Sequence, residues 1–127
     1  MKKILISFTI IFSMMFTSVS FAEWTKVGIS AKGDDFYVDF DRFRKHDGFV
    51  YFWMLSNYLE PTDMGTLSSE TYRQVDCNLL RYKTLSWVFH EKPMGGDIGS
   101  TNNESEKTWQ YAKPNSIIET VLNSVCK

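Results

Sequence analysis

The sequence predicts an α+β fold, an antiparallel sheet of about five to six strands closed by one C-terminal helix that a disulfide tethers. Three observations carry this. Runs of β-branched and aromatic residues, broken by turn clusters, follow one another from Trp24 to Phe89. The apolar period then changes, with Ile118, Val121, Leu122 and Val125 at the i, i+3, i+4, i+7 spacing of a helix stripe. Two cysteines are present, Cys77 in mid-chain and Cys126 as the second-last residue. Strands first and a helix last is the order of an α+β domain.

The N-terminus reads as a secretory leader. Lys2 and Lys3 precede the apolar run Ile4–Phe16, and Ser20 and Ala22 supply the small residues of a cleavage site after Ala22. The run is 13 residues long, short of the roughly 20 that cross a bilayer. The expectation is a leader over residues 1–22 and one domain over residues 23–127, periplasmic or secreted, with no stable membrane anchor after cleavage. Loss of Lys2 and Lys3 takes the formal net charge from −1 to −3. That balance gives no electrostatic reason for a nucleic-acid partner.

Trp24–Ser30 opens the domain as a strand, and Ala31–Asp34 is a turn cluster. In Asp35–Phe40, alternation sets Phe36, Val38 and Phe40 against Tyr37 and Asp39. A polar stretch then ends at Asp47-Gly48, a favoured hairpin turn. Phe49–Leu59 is apolar on both faces: Phe49, Tyr51, Trp53 and Leu55 point one way, Val50, Phe52 and Met54 the other. Such a strand is central and wants cover on both sides.

Glu60–Leu67 is a loop. Beyond it, Thr71, Arg73, Val75 and Cys77 oppose Tyr72, Gln74 and Asp76, and Leu85, Trp87 and Phe89 oppose Thr84, Ser86 and His90. Arg81 and Lys83 interrupt the pattern, which fits either one long bulged strand or a tight hairpin. Lys92–Asn103, with one Pro and three Gly, reads as irregular, and Glu104–Tyr111 as a short edge strand.

At the C-terminal end Ser116 and Glu119 have the capping-box spacing, with Pro114 just before. Cys126 continues the helix stripe one turn past Leu122, which would lay it over Cys77. Export permits oxidation, and two cysteines allow one internal pair. Two free thiols, or a dimer linked through one of them, are the competing readings.

A single short helix covers one face of a sheet, yet the two-faced strand and an aromatic content of 16% ask for more. The sheet curls into a partial barrel, or a partner covers the second face, and curling needs no partner. An uncovered apolar face would mark an interaction surface. The candidate residues for it are Tyr51, Trp53, Trp87 and Met94.

Catalytic signatures are weak. His46 and His90 lie in unrelated segments, short of a zinc ligand set. No nucleophile elbow is present, and the Asp34–Asp41 carboxylates lack the calcium-loop pattern. No cofactor is expected. Arg42-Phe43-Arg44-Lys45 and Arg81-Tyr82-Lys83 mix cations with aromatics. That pattern suits an anionic glycan or a ligand ring, and it also keeps strand edges unsticky.

Five segments together resemble one family: Trp24-Thr25-Lys26-Val27-Gly28, Phe36-Tyr37-Val38-Asp39, Val50-Tyr51-Phe52-Trp53, Asp76-Cys77-Asn78-Leu79-Leu80-Arg81-Tyr82-Lys83-Thr84-Leu85-Ser86, and Trp109 with a closing helix that ends in Cys126. The order resembles the surface-adhesin protein E family of Gram-negative bacteria. The resemblance implies an antiparallel sheet with a disulfide-tethered helix and a non-enzymatic module. The family's namesake is a surface lipoprotein that binds host matrix glycoproteins and can dimerise. Here no cysteine follows the leader to carry a lipid, so surface display is not implied, and no binding residue carries over.

The sequence therefore points to a small exported binding module, acting on a host matrix protein, another envelope partner or an apolar ligand, with homodimerisation open. The alternative is a periplasmic inhibitor of an envelope or host hydrolase, with Lys92–Asn103 as a rigid plug. An enzyme built on His90 is the least supported class.

Overall fold

The computed structural model describes residues 23–127, and the expected leader lies outside the described residues. The strands are β1 (Thr25–Ile29), β2 (Asp35–His46), β3 (Phe49–Asn57), β4 (Ser68–Asp76), β5 (Arg81–His90), β6 (Ser100–Asn102) and β7 (Gln110–Tyr111), followed by helix α1 (Ile117–Val125). They form one seven-stranded antiparallel sheet in the order β1-β2-β3-β4-β5-β6, with β7 also on β5. The expected five to six strands become seven because two very short strands dock on β5. β6 lies inside the stretch expected to be irregular, and β7 is only the last two residues of the expected Glu104–Tyr111 strand.

The β2–β3 turn follows its residues. Asp47 and Gly48 both take positive φ, 50° and 81°, as a two-residue hairpin turn of the type I′ kind requires. Ser69–Glu91 resolves as a hairpin that also carries a bulge. β4 and β5 join through Cys77–Leu80, and the register slips between Tyr72 and Arg73. Leu85 is the extra residue on β5, so Thr84 falls on the side of Arg73 and is buried, not on the side of Ser86 and His90 as simple alternation has it.

A wider bulge breaks β2 between Asp39 and Arg44. Phe40 therefore leaves the face of Phe36 and Val38 and is 43% exposed, whereas Asp39 is 1% exposed. The buried Asp39 carboxylate is satisfied by Asp41 N–H, Arg42 N–H and Arg42 Nε, the last at 2.6 Å.

The core lies between one sheet face and α1. Phe36, Val38, Val50, Phe52, Met54 and Val75 meet Val121, Leu122 and Val125. Ser116 caps the helix by accepting from Glu119 N–H at 3.2 Å. Glu119 Oε1 takes Asn115 N–H, because Ser116 N–H is already bonded to Lys113 O. Gly28 lets the helix come close to β1, since a Cβ there would stand 2.6 Å from Ile117 Cδ1. Cys77 and Cys126 form the disulfide, with Cα atoms 5.5 Å apart and a sequence separation of 49.

Removing the disulfide with Cys77→Ser and Cys126→Ser should lower the unfolding free energy by about 4 kcal/mol, the chain-entropy value for a loop of this length. Leu122→Ala, which empties a fully buried site, should cost about 2–5 kcal/mol. Both changes loosen the same helix, so in urea unfolding the triple variant should lose less than the sum. Strict additivity would mean that tether and stripe act independently.

Candidate interaction face

Among the described residues no helix covers the opposite face of the sheet, and we call it the open face. The cross-strand register places Phe49, Tyr51, Trp53 and Leu55 of β3 there, beside Asp76, Gln74, Tyr72 and Glu70 of β4. The two faces of β3 are thus treated differently. One packs under α1, and the other is finished by aromatic and cationic side chains.

Those side chains form a continuous stack. The Arg42 guanidinium lies 5.7 Å from the Trp24 ring and 5.3 Å from the Trp53 ring. Trp53 meets Tyr72 at 5.1 Å between ring centroids, and Tyr72 meets Tyr51 at 6.2 Å. Arg44 closes the stack 5.2 Å from Tyr51 and also donates to the Tyr72 hydroxyl. Arg42 and Arg44 reach this face because they alternate with Phe43, which packs against the core. Planar guanidinium groups lie well on aromatic rings, each contact being worth about 0.5–1 kcal/mol where exposed.

Each end of the face has its own cover. At the β4–β5 turn, Trp109 stacks on Phe49 at 5.5 Å and lies under Arg81 and Lys83. Arg81 Nε also donates to Asp76 at 2.9 Å. Burial pushes the Asp76 carboxyl up, but the Arg81 hydrogen bond and the N–H groups of Asn78 and Leu79 outweigh it and hold the carboxyl below its ordinary value.

At the other end the chain after β5 folds back onto β3 and β4. His90, 2% exposed, has Asp97 Oδ1 at 2.6 Å from Nδ1 and Glu70 Oε2 at 2.6 Å from Nε2. Each ring nitrogen thus has one carboxylate oxygen as its partner. Asp97 also accepts from Glu91 N–H, Ser68 Oγ bonds Lys92 O and Gly95 N–H, and Met94 N–H reaches Asn57. The His90 hydrogen bond holds the Asp97 carboxyl below its ordinary value, against partial burial and with help from Glu91 N–H.

This cluster is a clamp. Both ring nitrogens are engaged, the ring is buried, and Ser68 is committed to the backbone. Among the described residues no group of three His, Cys, Asp or Glu is placed to hold a metal ion.

The family profile described as Surface-adhesin protein E matches residues 24–127. The chain belongs to the surface-adhesin protein E family. Crystal form II of protein E from Haemophilus influenzae shares its fold at a TM-score of 0.63 and 13% identity, covering 84% of this chain and 89% of that one. The selenomethionine form of the same protein gives 0.61 at 14% identity, covering 80% and 84%. Protein E from non-typeable Haemophilus influenzae gives 0.58 at 12% identity, covering 86% and 78%. At such identities the likeness speaks for the fold. No curated protein sequence matches this chain.

On this adhesin E fold the four residues singled out from the sequence do not share one surface. Tyr51 and Trp53 sit at the centre of the open face, and Met94 lies at its end, in the turn Pro93–Gly95 that docks on β3 and β4. Trp87 pairs with Thr71, which pairs with Met54, and so belongs to the helix face. Alternation within one strand cannot say which face of the next strand matches it until the register is known. The cationic triplets place Arg42, Arg44, Arg81 and Lys83 on this face. Trp24, Tyr72 and Gln74 carried no sequence signal for this role, because they meet the others only across strands.

A carboxylate whose pKa falls on folding stabilises above its unfolded pKa, and that stabilisation is lost as pH drops through the folded value. Amide exchange over residues 91–97, corrected for intrinsic rate, should therefore stay slow at neutral pH and quicken below roughly pH 4. Asp97→Asn should show the faster exchange already at pH 7. Unchanged protection in that variant would show that the clamp does not hold the segment.

Proposed function

We propose that this chain is a small exported, non-enzymatic binding module that engages a protein partner, in the host matrix or the envelope, through the open face. The observation that carries this reading is the half-buried strip of Trp53, Tyr72 and Tyr51 at the centre of a sheet face that, among the described residues, no helix covers. Aromatic residues and arginine are the usual energetic anchors of protein interfaces. The family's description as a surface adhesin supports the same reading. Among the described residues no helix is long and apolar enough to cross a membrane, and the leader expected over residues 1–22 supports a periplasmic or secreted protein. A second copy of the chain on the same face is a further partner of this kind.

A specific observation also favours the inhibitor reading. The segment after β5 is clamped at His90, yet Ile98 at its tip is 97% exposed beside a groove of about 520 Å³ lined by Phe89 and Asp97. A held loop with an exposed apolar tip is the form of a plug.

One binding panel separates the two. Host matrix glycoproteins, envelope proteins and hydrolases would be immobilised and probed with the purified mature chain. Tyr72→Ala should weaken an open-face partner by about 2 kcal/mol, or roughly thirtyfold, and leave hydrolase activity untouched. Ile98→Asp should leave that partner unaffected. Loss of hydrolase inhibition in Ile98→Asp alone would favour the plug instead. Circular dichroism of both variants guards against simple unfolding.

A further inference from the structure

The charged groups on the open face are not evenly matched. Arg42 is paired with Asp39, and Arg81 with Asp76. Among the described residues Arg44 and Lys83 have no carboxylate within ion-pair distance, and the Lys83 ammonium meets only the Trp109 ring, at 4.7 Å. Yet the chain as a whole is slightly acidic, with a formal net charge of −1. The two unpaired cations are a local reversal of that balance.

Their placement is regular. Arg44 pairs with Tyr51, Tyr51 with Gln74, and Gln74 with Lys83, so the four form one row across β2, β3, β4 and β5. Three inter-strand steps separate the cations by roughly 14 Å. Between them stand polar tips. Gln74 Nε2 donates to the Tyr51 hydroxyl at 3.1 Å, which leaves Gln74 Oε1 as an acceptor and the Tyr51 hydroxyl as a donor. The Tyr72 hydroxyl accepts from Arg44 and keeps its own proton to donate.

We infer that the row Arg44, Tyr51, Gln74 and Lys83 is a subsite for an acidic polysaccharide, with carboxylate or sulfate groups on the two cations and sugar hydroxyls on the tips between them. This rests on the open face being the binding face and adds the ligand's chemical class. Charge complementarity selects an anion, and alternating donors and an acceptor select a hydroxyl-rich one. The stack argues against a nucleic acid, which binds by laying bases on free ring faces. Here Tyr51 already has Arg44 and Tyr72 against it. Arg44 suits the terminal anion because its guanidinium can grip a carboxylate or sulfate with two parallel hydrogen bonds.

The test is calorimetric titration of the mature protein with four probes: a heparin octasaccharide, a polygalacturonate oligomer, a neutral dextran oligomer and a thymidine oligonucleotide. Either acidic oligosaccharide should bind, more weakly as salt rises, and dextran and the oligonucleotide should not. Arg44→Gln with Lys83→Gln should weaken binding by about tenfold or more. Lys113→Gln with Lys127→Gln removes the same charge away from the row and should change it less than about twofold.

Equal losses in the two double variants would overturn the subsite, as would equal binding of the oligonucleotide or no binding of either acid. If a protein partner is still lost in Tyr72→Ala while neither acid binds, the open face stands and only the ligand class fails. If Tyr72→Ala also keeps every partner, both readings fail.

Discussion

Strand β3 is apolar on both faces, and one nine-residue helix covers only one of them. The rest of the structure answers that constraint. On the helix face, Val50, Phe52 and Met54 pack under Val121, Leu122 and Val125, and the disulfide fixes where the helix lies. On the open face the described residues form no second layer. Leu55 is buried at the end where the returning chain docks on β3, Phe49 is stacked by Trp109 at the other, and the rings between are finished by arginines. Among the described residues no pairing of first and last strands closes the sheet, so cover comes from side chains and from two folded-back segments.

How far this was legible depends on which contacts are local. The period of Ile118, Val121, Leu122 and Val125, the cap at Ser116 and the turn at Asp47-Gly48 are all written within a few residues, and each appears where the pattern places it. The disulfide needed only a count of cysteines. The bulges at Asp39–Arg44 and at Leu85 were not legible, because each depends on a partner strand whose register is set by the whole sheet. Those two slips exposed Phe40, buried Asp39 and moved Thr84 to the other face. Trp87 was misjudged for a related reason. Its own alternation was right, but matching it to Tyr51 and Trp53 requires β4 between them.

The clamp at His90 illustrates a second limit. Composition marks Lys92–Asn103 as irregular, since it carries Pro93, Gly95, Gly96 and Gly99. Irregular backbone is not the same as loose backbone. Glu70 lies 20 residues before His90 and Asp97 seven after, and only the fold brings the three together. Gly99 permits the approach, because a Cβ there would stand 2.8 Å from the His90 ring. His90, the residue on which the least supported enzyme reading rested, has a carboxylate at each ring nitrogen and so ties the segment to the sheet.

The two faces also differ in how strongly their cover is held, and this decides which one a partner can use. Lifting α1 would expose three buried aliphatic side chains, each worth about 1.5–3 kcal/mol, and the disulfide would still hold the helix end in place. Arg44 is held on Tyr51 by one cation–π contact of about 0.5–1 kcal/mol and one long hydrogen bond at 3.4 Å. Its remaining N–H groups can take an anion at the guanidinium edge while the ring face stays covered. The open face is thus kept soluble by groups that a ligand can recruit, whereas the helix face is closed by groups that it cannot displace. Binding on the open face asks only for local side-chain exchange on a sheet whose strands are already fixed, which keeps the ordering cost of association small.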